Sequence, residues 1–319
     1  MRPLVSILIT TFNSERYIEE ALRSALAQTY PNFEVVIVDG GSKDKTKEII
    51  ESHRDARIRA IFPGVRLGIK EGRNRLFKEA KGEYWTFLDS DDVYLSEKVA
   101  EEAAFLDQNP EYAAVYCDLR YFFDGRPEKL YRHKYTFYSG DIFEELLKRM
   151  FITNTTLMFR KSVFSELGGY DESLGMVEDW DYFLRMAHAG HKIGFLPKDL
   201  VRYRLRWDNN TNFKNQVPIQ ESAVKIFENL HAHMSAEEKQ KYRMERILAK
   251  RRLRLAIAYL AMGRKTEGCA MLRKALPGSR GSFWCGIGSL IPSKLARFVV
   301  EKAWNLKKKN LFIPVDSRG

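Results

Sequence analysis

Three carboxylates in four residues, Asp89, Asp91 and Asp92, end the apolar run 84–88. Side chains packed this closely repel one another unless they share a cation, and hard oxygen donors without Cys or His beside them suit Mg2+ or Mn2+ rather than zinc. The other reading is a polar turn in which the Asp side chains bond their own backbone. Asp39 ends a second apolar run next to Gly40 and Gly41, where the chain can turn tightly and a ligand can approach closely. Its carboxylate can accept the ring N–H of uracil or guanine, or form an Asx turn before the next helix. Glu178 and Asp179 form a third acidic set. A carboxylate there can act as a general base if desolvation holds its pKa up, although acidic residues in a first helical turn are also favoured by the macrodipole alone.

Those residues need elements to hold them. Residues 4–11, 33–38, 58–62 and 84–88 read as strands, and helices are expected after an N-cap at Asn13 or Ser14 with Ile18, Ala21, Leu22, Ala25 and Leu26 on one face, at 45–52, at 70–80 and from Ser96 to Asn109. Alternation of this kind predicts an α/β fold with a mostly parallel, doubly wound sheet and helices on both faces. Ligands bind such sheets at the strand ends where Asp39, Asp89 and Asp91 stand. Further on come strands at 113–119 and 155–159, an aromatic hairpin about Asp124-Gly125, and a helix at 141–150. The spacing of Trp180, Phe183, Leu184 and Ala187 puts Glu178 and Asp179 in the first turn of a helix, and short strands come next at 193–196 and 201–205. Beyond Pro218 the pattern is helical, so a domain boundary is expected there.

With 319 residues and 45% hydrophobic content the chain can bury a substantial core. Met1 leads straight into the apolar run 4–9, which predicts no signal peptide and a cytoplasmic setting. Cys117, Cys269 and Cys285 are odd in number and widely spaced, against a disulfide framework or a Cys-based metal site. Residues 243–319 hold 18 basic against 4 acidic residues, a surplus of 14 in a chain whose net charge is +11. Such a tail attracts anionic polymer or lipid. Helices are expected at 220–231, 237–260 and 265–276, the last two resembling one tetratricopeptide-like hairpin, with Arg251, Arg252 and Arg254 on a solvated face. After the apolar segment 283–291, residues 294–309 form a basic amphipathic pattern that suits either a membrane interface or a helix packed on its own protein. Without interleaved aromatics or a recognised motif, nucleic acid is not expected as a partner.

The stretches Val5-Ser6-Ile7-Leu8-Ile9-Thr10-Thr11-Phe12-Asn13, Gln28-Thr29-Tyr30, Val36-Ile37-Val38-Asp39-Gly40-Gly41-Ser42-Lys43-Asp44, Phe87-Leu88-Asp89-Ser90-Asp91-Asp92, Gly168-Gly169-Tyr170-Asp171-Glu172 and Glu178-Asp179-Trp180 occur in this order. Together, over residues 4–212, they resemble the GT-A inverting glycosyltransferases of family 2. The resemblance implies a Rossmann-like catalytic domain at 1–218, with a nucleotide-sugar half at about 1–110 and an acceptor half at about 111–218, and then a basic helical region at 219–319. Thr10, Phe12, Asn13 and Asp39 would line the nucleotide pocket, while Arg73, Asn74, Asp89 and Ser90 would lie near the nucleotide sugar. Asp91, supported by Asp89, would hold Mn2+ or Mg2+ on the diphosphate. Asp179 would be the base, and Glu178 and Trp180 would shape the acceptor site.

The reaction so implied moves a sugar from a nucleotide-sugar donor, UDP-linked first and GDP-linked second, to a hydroxyl of a glycan or lipid-linked acceptor in cell-surface polysaccharide synthesis. A cytoplasmic enzyme attached peripherally to the inner face of the membrane would suit it. A catalytically inactive scaffold that binds anionic lipid or polymer through the basic tail is the competing reading. Two departures stand out. Relatives often have two acidic residues where this chain has Asp39-Gly40, and often a His where it has Tyr203-Arg204-Leu205-Arg206. Arg204 or Arg206 could then meet phosphate directly.

Overall fold

The computed structural model describes residues 2–134, 136–206, 215–276, 302 and 312–315. Its first half is a regular alternation: β1 (Val5–Thr11), α1 (Ile18–Leu26), β2 (Phe33–Asp39), α2 (Thr46–Ser52), β3 (Ile58–Ile61), α3 (Ile69–Glu79) and β4 (Tyr84–Phe87). β1 pairs in parallel with β2 and β4, and β2 with β3. Burial on both faces explains why β1 and β2 are almost continuously apolar rather than alternating.

Next come β5 (Val93–Tyr94), α4 (Lys98–Gln108), β6 (Tyr112–Phe123), β7 (Arg126–His133), α5 (Phe143–Lys148), β8 (Leu157–Arg160), α6 (Lys161–Leu167), α7 (Glu178–His188) and β9 (Lys192–Leu205). β8 runs antiparallel between β4 and β6, and β9 lies parallel to β6. The sheet is therefore parallel through β4 and mixed beyond it. The two short strands expected at 193–196 and 201–205 are one strand with register shifts against Cys117 and Asp118.

The chain divides into two units. One holds Met1–Glu172, Tyr182–Arg206 and Ile313–Gly319, the other Ser173–Asp181 and Trp207–Phe312. The second contains α8 (Gln216–His233), α9 (Ala236–Lys241), α10 (Met244–Ala261) and α11 (Lys265–Ala275). Against an expected boundary near Pro218, the division falls after Arg206, residues 173–181 group with the helices, and residues 313–319 group with the α/β unit. The single helix expected at 237–260 is broken at Arg243, whose φ is +53°. α10 and α11 form the expected hairpin, packed so closely that a Cβ at Gly268 would meet Leu260 at 2.8 Å. α8 supplies the neighbour such a hairpin requires, through Val217 and Val224 against Leu255 and Tyr259.

Arg251, expected on a solvated face, is buried instead. Cys269 is disulfide-bonded, although the number and spacing of the cysteines argue against a disulfide framework, whereas Cys117 is free and buried. Segments 283–291 and 294–309 lie outside the described residues, apart from Lys302. Among the described residues no helix is long and apolar enough to cross a membrane.

β4 positions the acidic cluster, and its two faces are held differently. Trp85 and Phe87 join an aromatic group in which Phe77 stacks on Trp85 at 5.2 Å and on Tyr170 at 5.5 Å. Behind the other face, fully buried Lys98 donates to Thr86 Oγ1 at 2.9 Å and to Glu102 Oε2 at 2.6 Å. Its ammonium also lies 4.3 Å from the Tyr94 ring centre, and the Tyr94 hydroxyl donates to the Phe87 carbonyl. Burial pushes Glu102 up to about 7 despite Lys98 beside it.

Removing one partner strands the other charge in the core. Lys98→Met is expected to cost about 3–5 kcal/mol of stability, while Lys98→Met with Glu102→Leu recovers most of it. Calorimetric melting of the three proteins checks this. A single variant as stable as the parent would contradict a charged pair.

Candidate active site

The ends of β1, β2 and β4 build one cluster of polar residues. After β1 the chain turns through Asn13 at a φ of +47°, a value that Asn tolerates better than most residues. The Gly40 N–H donates to the Thr11 carbonyl at 2.7 Å. Asn13 is fixed twice, since its N–H donates to Ser42 Oγ and its Oδ1 accepts the Lys43 N–H, both at 2.8 Å. Asp39 is buried and accepts the Ser42 N–H at 3.1 Å and the Ser42 hydroxyl. The Asx turn open to Asp39 is therefore present.

Gly41 has a φ of +84°, and a Cβ there would stand 3.0 Å from the Val65 carbonyl. Only glycine meets both conditions. Phe12 is 38% exposed, and the Arg66 guanidinium lies 3.3 Å from its ring centre while donating to the Gly40 carbonyl at 3.1 Å. The place of Arg66 beside the Phe12 and Gly40 turns is not visible in the sequence, because a lone cation in a Gly-bounded loop has no periodicity to mark it.

α3 reaches the same strand ends. A Cβ at Gly72 would meet Thr10 Cγ2 at 3.1 Å. Next to it, Arg73 is 4% exposed, pairs with Asp89 at 3.3 Å, and lies over the Phe87 and Tyr170 rings at 5.6 and 5.5 Å. Asn74 is occupied in a different way. Its Nδ2 donates to the Tyr170 carbonyl at 3.0 Å and to Glu172 at 2.8 Å, and its Oδ1 accepts the Tyr170 N–H at 2.8 Å. Its carboxamide thus anchors the Gly169-Tyr170 loop.

At the end of β4, Ser90 Oγ lies 3.0 Å from Ser14 Oγ. Asp92 is buried and accepts the Arg204 N–H at 2.9 Å. Arg204 donates through Nε to the Asp91 carbonyl at 2.8 Å and pairs with Glu20 and Asp124, which ties β9 to this loop. Arg206 pairs with the Asp91 carboxylate at 3.3 Å. Burial and the charge of Asp89 push Asp91 up to about 6, against the pull of Arg206 and Arg204. Burial, with the charges of Asp91 and Asp89, also holds Asp92 well above the usual carboxylate range.

Among the described residues no group of three or more His, Cys, Asp or Glu could cage a metal ion. Asp91 and Asp89 nevertheless fit Mg2+ or Mn2+, ions bound through one or two carboxylates and completed by water and substrate phosphates. Burial first and the Asp89 carboxylate second disfavour the ionised form of Asp91, so a cation beside the pair would favour it.

Glu178, Asp179 and Trp180 belong to the second unit. Glu178 is buried, Asp179 is half-buried, and both lie in the first turn of α7. Asp179 Oδ1 accepts the Trp180 N–H at 2.9 Å. The residue before them, Val177, has a φ of +54°.

Known proteins share both the sequence pattern and the fold. Residues 6–168 match the profile of Glycosyl transferase family 2. An uncharacterized glycosyltransferase of Rickettsia typhi is 32% identical over 215 residues, which cover 66% of this chain and 66% of that relative. The chain resembles Staphylococcus aureus TarS 1–349 in complex with UDP-GlcNAc, with a TM-score of 0.64 at 21% identity, covering 85% of this chain and 81% of that one. It also resembles the mannosyltransferase PcManGT of Pyrobaculum calidifontis in complex with GDP-Man and Mn2+, with a TM-score of 0.59 at 20% identity, over 95% of this chain and 85% of that one. At these identities the two likenesses show the GT-A fold.

Proposed function

Since the chain belongs to glycosyl transferase family 2, we propose that it moves a sugar from a nucleotide-sugar to an acceptor hydroxyl with inversion at the anomeric carbon. The observation that carries this reading is the pair Asp89 and Asp91 at the end of β4, each in contact with a guanidinium, beside the Phe12 and Asp39 turns. An acidic cluster interleaved with Arg73 and Arg206 suits a diphosphate and the cation that accompanies it. Asp91 with Asp89 would hold that Mn2+ or Mg2+, which when bound acts as a Lewis acid on the leaving diphosphate.

In the step itself, the acceptor oxygen forms its bond to the anomeric carbon as the bond from that carbon to the diphosphate oxygen breaks. The electron pair leaves with the diphosphate, and the hydroxyl proton passes to Asp179. Arg73 and Arg206 would orient the diphosphate, while Glu178 and Trp180 would shape the acceptor site. Thr10, Asn13, Asn74 and Ser90 would line or brace the donor pocket.

UDP-sugars are proposed ahead of GDP-sugars. Both Asp39 oxygens already accept a bond from Ser42. One further ring N–H, as uracil offers, is easier to satisfy there than the adjacent pair of donors on guanine. UDP is expected to displace a fluorescent nucleotide with an affinity about tenfold better than GDP. Nucleotide release from UDP-GlcNAc, UDP-glucose and GDP-mannose with Mn2+ present tests the wider reading; no release from any donor would contradict it. The acceptor is proposed to be a glycan or lipid-linked glycan of the cell surface, met at the inner face of the membrane with help from the basic segment 294–309. Flotation with anionic liposomes tests that attachment, and a protein that stays with the soluble fraction would refute it.

A further inference from the structure

The turn that leads into Glu178 and Asp179 is fastened by helices far away in sequence. Gly175 comes so near α8 that a Cβ there would stand 3.0 Å from Ser222 Oγ. That hydroxyl accepts the Met176 N–H at 2.9 Å, and Lys225 donates to the Ser173 carbonyl at 3.0 Å. Val177 then adopts its φ of +54°. A β-branched residue holds such a left-handed conformation only where its surroundings impose it.

The residues just past Val177 are held as firmly. The Val177 carbonyl accepts the Trp180 N–H at 3.1 Å. The Trp180 ring meets Phe227 edge to face at 5.3 Å and lies under the Arg251 guanidinium at 4.5 Å. That guanidinium is also 4.4 Å from the Phe227 ring centre, and Arg251 is only 5% exposed. Burial, helped by the charge of Arg254, lowers Arg251 to about 9. A planar cation can stack in this way where a lysine ammonium cannot.

We propose that Ser222, Phe227 and Arg251 are positioning residues for Asp179: they hold Val177 left-handed and so fix the direction in which Glu178 and Asp179 enter α7. The proposal rests on the reading of Asp179 as the base. Helices α8 and α10 then set the geometry of the side chain read as the base.

Arg251→Met keeps apolar bulk and removes the stacked cation. Hydrogen exchange in a peptide spanning 173–181 is expected to quicken about tenfold. Nucleotide release from UDP-GlcNAc with Mn2+ should fall about 100-fold, as a small misplacement of a reacting group can produce, while UDP affinity stays unchanged. Ser222→Ala, a milder change, should shift both readouts in the same direction. The decisive variant adds Val177→Gly to Arg251→Met. Glycine adopts a positive φ freely, so the added change should restore most of the lost protection and turnover.

A merely structural role for Arg251 would lower release in proportion to the folded fraction and gain nothing from Val177→Gly. Unchanged exchange in Arg251→Met, or quickened exchange that Val177→Gly leaves as it is, would overturn the proposal. Should the parent protein release no nucleotide from UDP-GlcNAc, UDP-glucose or GDP-mannose, the reading of Asp179 as base falls, and the exchange pattern still decides whether the clamp exists.

Discussion

Asp91→Ala is expected to lower sugar-nucleotide turnover at least about 1,000-fold, the scale on which removal of a group that stabilises leaving-group charge acts. It is also expected to bring UDP affinity in Mn2+ down to the affinity measured in EDTA. The fold should not suffer. Burial and Asp89 already raise Asp91 to about 6, so at neutral pH its ionised form is disfavoured in the folded chain relative to the unfolded one. A group with a raised folded pKa of this kind subtracts from stability once ionised, and alanine removes that penalty. The melting temperature should therefore stay level or rise while turnover is lost. Turnover that falls only in step with melting would show that Asp91 matters to folding alone.

Asp179→Asn separates the proposed base from everything else nearby. Asparagine keeps the shape and an oxygen able to accept the Trp180 N–H, as Asp179 does at 2.9 Å, but it cannot take a proton at neutral pH. Turnover at saturating donor should fall by about 10²–10⁴. UDP affinity and its dependence on Mn2+ should match the parent, since the residues proposed to bind the donor lie on or beside β1, β2, α3 and β4. The two variants thus have opposite signatures. Asp91→Ala weakens metal-dependent binding and turnover together, whereas Asp179→Asn lowers turnover alone. Weakened nucleotide binding in Asp179→Asn would move that residue from the acceptor side to the donor side.

Much of the α/β unit is legible in the sequence because its signals are local. β1, β2 and β4 are short apolar runs that end in Thr, Gly or Asp, and parallel strands buried on both faces have that composition. The acidic cluster is visible for the same reason, since its chemistry lies within four residues. The antiparallel insertion of β8 between β4 and β6 is not visible, because pairing direction leaves no trace in a four-residue apolar strand. α6, seven residues with one buried position, is too short to show a period.

The partners of the site residues are harder to see than the residues themselves. Arg204 and Arg206 come from the end of β9, more than a hundred positions after Asp91, and only the fold joins them. A solvated face is the natural expectation for Arg251, because arginine on a helix ordinarily seeks water. Its burial between Trp180 and Phe227 depends on a planar cation finding two aromatic faces. The grouping of 173–181 with α8 and α10 likewise comes from contacts such as Ser222 with Met176, which no pattern within 173–181 announces. Asn74 shows the converse, a residue whose motif points to the ligand and whose carboxamide is engaged by the Tyr170 backbone.

The most direct measurement is nucleotide release by the unmodified chain from UDP-GlcNAc, first in Mn2+ and then in excess EDTA. The proposed role of Asp91 as a metal ligand predicts steady release in Mn2+ that stops on chelation and resumes when the metal is restored. Release that continues undiminished in EDTA would contradict it.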